Sequence, residues 1–230
     1  VVYEYAGGRP VVYDSALGRF EPGRVLDSTR LGRGATAARY ANLEPRASVR
    51  VGLTPAASLK ASYARTAQYL HLASRTNSPT PLDVWEPSGR YLRPQRADQV
   101  AVGYAATAGG GAWELSAEAY AKRLYDVVDF IDGVDLVLNP RPEAAIVQGR
   151  GRAAGLELYA RRRAEGGRLG RTTGWVSYTL ARAEQRFGDV AGAGGAAGAD
   201  AKINGGRWYR APYDKTHDLT VVAVRPLGAG

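Results

Sequence analysis

Few side chains in this sequence of 230 residues have types and spacing that could do chemistry. There are two histidines, His71 and His217, and no cysteine. A tetrahedral metal site needs convergent nitrogen, sulfur or carboxylate ligands at workable spacing, and none accompanies either histidine. Without cysteine, thiolate sites, thiol nucleophiles and a disulfide framework are all excluded. Glu114, Glu118 and Glu157 are the carboxylates that glycoside hydrolysis would pair. Each alternates with apolar neighbours, as do Lys122 and Arg161, so the pattern puts all five on the wet face of a sheet. There is no serine nucleophile motif, phosphate loop or dinucleotide fingerprint. Gly109-Gly110-Gly111 reads as a turn, with no helix after it to hold phosphate. The expectation is a protein that is not an enzyme and has no cofactor or metal. The remaining candidates are His71, Trp85, Tyr91, Trp208 and Tyr209, all in long connections. There an aromatic ring can stack on a ligand or simply pack the loop. At the mouth of such a loop, His71 is either a ligand contact or a solvated side chain.

These residues must be positioned by strands. Val49, Val51 and Leu53 alternate with Ser48, Arg50 and Gly52, a period of two that marks a strand with one apolar face. Thr54-Pro55-Ala56-Ala57 turns the chain, and Leu59, Ala61 and Tyr63 alternate with Lys60 and Ser62. Further strands start near Val100, Trp113, Gly151, Val176 and Thr216, the Trp113 strand reaching as far as Phe130. Glu114, Glu118 and Lys122 lie opposite Trp113, Leu115 and Ala117, and Glu157 and Arg161 lie opposite Leu156 and Leu158. By the same parity Tyr63, Tyr104 and Tyr178 belong to the apolar face. The seven strands are joined by connections that alternate short and long, with long loops at about 70–97, 131–149 and 188–213. Bacterial outer-membrane barrels have short turns on one side, long loops on the other, and strands of about 9–11 residues or more. A soluble sandwich has no reason to sort its connections so regularly.

Composition agrees. No apolar run approaches the roughly 20 residues of a membrane-spanning helix, yet a barrel spreads its apolar residues over alternate positions. The chain has 14 Tyr and 4 Trp but only 3 Phe, and rings with a polar tip suit a surface that is part lipid and part water. Net charge is +9. The arginines are scattered along the chain, which suits a wet surface and contact with anionic lipid, and shows no basic aromatic groove for nucleic acid. Methionine is absent, so Val1 is not a translational start, and a fragment or processed chain is expected.

Asn42-Leu43-Glu44-Pro45-Arg46, Leu59-Lys60-Ala61-Ser62-Tyr63-Ala64-Arg65-Thr66 and Gln68-Tyr69-Leu70-His71-Leu72 resemble the C-terminal barrel of TonB-dependent receptors, particularly the type common in Bacteroidetes. The likeness continues at Asp83-Val84-Trp85, Pro94-Gln95, Ala97-Asp98-Gln99, Gly149-Arg150-Gly151-Arg152-Ala153 and Gly155-Leu156-Glu157. It runs on through Gly174-Trp175-Val176-Ser177-Tyr178-Thr179-Leu180 and Thr216-His217-Asp218-Leu219. Val2-Tyr3-Glu4-Tyr5 looks like part of an extracellular loop of that group. The resemblance implies a barrel of about 22 strands plugged by an N-terminal domain. It implies energy supplied by TonB–ExbB–ExbD through a region not present here, and a siderophore, cobalamin, saccharide or peptide as the nutrient imported.

The expectation is therefore an all-β chain, an antiparallel transmembrane β-barrel segment of the bacterial outer membrane. Residues 1–43 would be mostly extracellular loop and 44–226 the seven strands, with the plug domain absent. Seven strands fall below the roughly eight of the smallest such barrels, so the sheet must continue elsewhere. Expected partners are outer-membrane lipid and lipopolysaccharide, TonB–ExbB–ExbD and a nutrient, but not nucleic acid. The alternative is a non-transporting surface barrel, an adhesin or polysaccharide binder. A soluble all-β module is the third reading.

Overall fold

A computed structural model describes residues 2–5, 11–14, 19–22, 25–73, 84–89, 92–130, 146–163, 172–188 and 203–225. Alternation of apolar and polar side chains produces seven long strands in one antiparallel sheet. In chain order they are β5 (Arg46–Thr54), β6 (Ala57–Gln68), β9 (Gln95–Ala108), β10 (Trp113–Phe130), β11 (Ile146–Arg162), β12 (Thr173–Arg186) and β14 (His217–Val224). Each pairs with the next in sequence, and the two-residue β13 (Tyr209–Arg210) joins β12 beyond the end of β14. This is the meander expected of a barrel wall, and among the described residues it is open at β5 and β14.

The short turns have local causes. Pro55 and Ala56 close the β5–β6 hairpin, where the Ala56 amide donates to Thr54 Oγ1 at 3.2 Å. Between β9 and β10, Gly109, Gly110 and Gly111 have φ of +63°, +68° and +104°, a left-handed run that side chains with a Cβ resist. The Gly166-Gly167 turn lies outside the described residues, as do the Ala191–Ala201 run and most of the long connections.

The strand bounds correct the sequence reading at the loop ends. β6 runs on to Gln68, β9 begins at Gln95, and β11 begins at Ile146, inside the stretch assigned to a loop. The segment from Leu70 is a hairpin of β7 (Leu70–Ala73) and β8 (Val84–Pro87). The region before residue 43 also contains strand: β1 (Val2–Tyr5) pairs with β4 (Val25–Thr29), and β2 (Val11–Asp14) pairs with β3 (Arg19–Pro22).

Register turns the alternation into two surfaces. On one face, Val51, Leu59, Tyr104, Ala117, Leu158, Tyr178 and Leu219 form a single row across all seven strands. Neighbouring rows hold Val49, Val102, Leu156 and Leu180, and Leu115, Val176 and Val221. Nearly all of these large side chains are exposed, Leu219 at 63%. An exposed apolar surface this wide needs lipid or a partner to cover it. The densest burial lies instead at the long-loop end, where Phe130, Val147, Phe187 and Ile203 are enclosed.

Candidate functional site

The polar face carries the predicted charged residues in a common frame. Arg50, Lys60, Gly103, Glu118, Glu157, Thr179 and Asp218 make one row across the sheet. Glu118 and Glu157 stand directly opposite each other, and the Glu118 side chain lies over Gly103, where an added Cβ would sit 3.2 Å from its carboxylate. Nearer the short turns, Arg161 is 3.6 Å from Glu114, which Arg163 also contacts. Lys122 lies toward the other end, level with Gln99 and Ala153. The Tyr120 ring covers Gly155, where a Cβ would come within 2.7 Å of it. Beside the short turns a cleft of about 610 Å³ is lined by Arg50, Ser58, Glu114, Ser116 and Tyr159 among others. Among the described residues no cluster of three or more potential ligands could hold a metal ion.

The candidate ligand residues do not form one site. His71 is buried, 1% exposed, so the solvated alternative is corrected. Its Nε2 lies 2.9 Å from Ser88 Oγ, and burial of the ring holds its pKa below the usual histidine value. It belongs to a polar knot under the β7–β8 hairpin. There Asp126 pairs with Arg93 at 2.7 Å, and Gln148 bonds the Arg93 backbone at both N–H and C=O. Asp126 reaches Arg93 because β10 bulges at that point, with Asp126 at φ +58°. No sequence signal marked the bulge. Trp85 lies in β8 and is 61% exposed. Tyr91 lies outside the described residues. Trp208 and Tyr209 are separated by parity. Tyr209 stacks near Phe187 and donates to Asp129 Oδ2 at 3.4 Å, whereas the Trp208 ring lies 4.4 Å from the Arg152 guanidinium.

Arg152 introduces a feature that sequence reading missed. Beyond the apolar rows, on the same face, Arg65, Asp98, Arg123, Arg152, Glu184 and Arg210 form a charged row across six strands. Arg65 grips Asp98 through two bonds of 2.7 and 2.9 Å, and Tyr63 donates to the same carboxylate at 2.8 Å. Arg152 holds Glu184 at 2.6 Å, and Arg182 contacts that carboxylate too. The arginines that look scattered along the chain are gathered by cross-strand register. At the opposite end Arg162 lies over the Trp113 ring, 5.7 Å from its centroid. On β10 the stretch from Trp113 to Arg123 covers roughly 33 Å of strand at ~3.3 Å per residue. Tilted by about 40°, as barrel strands are, it spans roughly 25 Å, the height of an outer-membrane apolar band.

No curated protein and no solved structure matches the chain. A family model described as TonB dependent receptor-like, beta-barrel matches residues 13–222. The meander, the apolar band with its charged borders, and this match over nearly the whole length lead to one conclusion: the chain belongs to the TonB-dependent receptor β-barrel family, an outer-membrane family of receptors and transporters.

Proposed function

We propose that this chain is part of the wall of an outer-membrane transporter that imports a nutrient, driven by TonB–ExbB–ExbD acting through a plug domain. The observation that carries the reading is the in-register apolar band, about 25 Å high, backed by a continuous polar row. The apolar face meets lipid. Glu114, Glu118, Lys122, Glu157 and Arg161 face the lumen, and the cleft beside the short turns faces the plug. β10 has 18 residues, roughly 60 Å of strand. It therefore projects well past the band at the long-loop end, where exposed Trp85 would stack on an arriving ligand, a role that the sequence position of Tyr91 also suggests. The nutrient is a siderophore, cobalamin, saccharide or peptide.

The test is uptake by cells of the source bacterium with the receptor gene deleted, measured across those four classes and repeated in a strain lacking TonB. Loss of uptake of one class in both strains supports the transporter. Surface binding of a polysaccharide with no TonB-dependent uptake of any class would sink it and favour a non-transporting barrel.

A further inference from the structure

One nitrogen-bearing side chain on the outward face lies far from either border of the apolar band. His217 is level with Ala119, through Leu180 and Leu156. That puts it roughly 15 Å from the Trp113 border of a band about 25 Å high, near mid-height. Arg182, on the neighbouring strand, reaches Glu184 in the charged row. His217 instead turns to Tyr178, with the two rings stacked 6.2 Å apart at 27° and Nδ1 2.8 Å from Tyr178 Oη. Exposed Leu180, Leu219 and Val221 surround the pair.

The bond between the two leaves a matched remainder. Where the tyrosine hydroxyl donates to Nδ1, Nε2–H is left as a donor and a hydroxyl lone pair as an acceptor. Where Nδ1–H donates to the oxygen, the hydroxyl proton is left as the donor and Nε2 as the acceptor. In either tautomer one donor and one acceptor remain at one depth, and among the described residues neither has a partner. Hydrocarbon satisfies neither of them, which makes the pair costly against bare lipid.

We infer that His217 and Tyr178 are the centre of a contact between two copies of the receptor that contains this chain, each pair bonding the other across a two-fold axis. Barrels in one membrane share one orientation, so that axis runs along the membrane normal and brings equal depths together. A two-fold contact must be self-complementary, and a pair with one spare donor and one spare acceptor is. An adjoining wall strand would have to take up both groups with one side chain, and a lipid tail takes up neither. Leu180, Leu219 and Val221 carry no charge, so nothing ionised is desolvated as the two copies pack. The inference rests on this face lying in the membrane and is independent of which nutrient is imported.

The test uses the full-length receptor in isolated outer membranes, with any cysteine outside this cysteine-free stretch replaced by serine. L219C places a thiol directly opposite Tyr178. V102C places one in the row of His217 but on β9, four strand pairings away. A short bismaleimide should cross-link L219C into a dimer and leave V102C monomeric. In detergent, sedimentation equilibrium of H217L and of Y178F should each show self-association about tenfold weaker than wild type, the effect of losing two membrane hydrogen bonds of modest strength. No dimer from L219C, or equal cross-linking of L219C and V102C, would overturn the contact. So would H217L associating as tightly as wild type. A monomer whose unfolding is weakened by H217L would overturn it too, and would assign the spare groups to an adjoining strand of the same barrel. Labelling of both cysteines by a membrane-impermeant maleimide would remove the membrane placement itself, and the proposed function with it.

Discussion

His71 shows what happens to a single polar residue when a hairpin folds over a sheet. Its imidazole is buried beside Ser88 and held below its ordinary pKa by desolvation, with Asp126 opposing that shift from a distance. A histidine whose folded pKa is depressed binds fewer protons folded than unfolded just below the unfolded value of about 6.5. Stability therefore rises with pH through that window. The contribution is fully present above pH of about 6.5 and is lost as pH falls through the lowered folded value. Acidification should loosen the β7–β8 hairpin ahead of the rest of the sheet, read as a change in Trp85 fluorescence, since Trp85 is the cross-strand partner of Leu72. His71→Gln should flatten that dependence, and an unchanged pH profile in the variant would remove His71 as its origin. The sequence offered no way to foresee this. Burial of His71 arises from the hairpin packing on β10 and from a bulge at Asp126, neither of which has a local signature in residues 70–97.

At the scale of elements, period two was legible wherever one face is apolar and the other wet. That holds for the middles of β5, β6, β9, β10, β11 and β12. The strand ends past the charged row escaped because the alternation there no longer separates lipid from water: Thr66, Ala67 and Gln68 give no contrast, yet pair with Ala97, Arg96 and Gln95. Position within the band should govern the cost of charge. Leu158 is in the central row, so Leu158→Arg places a guanidinium at mid-depth and should destabilise the refolded full-length receptor in lipid vesicles by about 2–4 kcal/mol. Ala108 is level with Trp113 at the border, and Ala108→Arg should cost only about 0–1 kcal/mol. Guanidinium unfolding of the two variants against wild type measures the difference. Equal costs would mean the face does not meet a graded apolar phase.

At the scale of the whole chain, Glu114, Glu118, Lys122, Glu157 and Arg161 share one face of the sheet, because the parity legible in the sequence survives strand pairing. The arginine cluster was invisible for the complementary reason. Arg65, Arg123, Arg152 and Arg210 are far apart in sequence and adjacent only through five strand pairings, so no window along the chain could gather them. Among the described residues the same sheet leaves β5 and β14 each with one unpaired edge, and every side chain of β5 is exposed. Two long open edges and an uncovered apolar face are both routes to self-association in water. The 230-residue chain expressed by itself should therefore pellet from buffer and be recovered as sheet-rich material only in detergent, with the detergent bound on the face that carries Val102, Leu158 and Leu219. Sedimentation velocity in buffer and in detergent, with circular dichroism of each fraction, decides the matter. A stable monomer in plain buffer would mean that the apolar rows are covered from within the chain, and the soluble β-module would replace the barrel wall as the account of this fold.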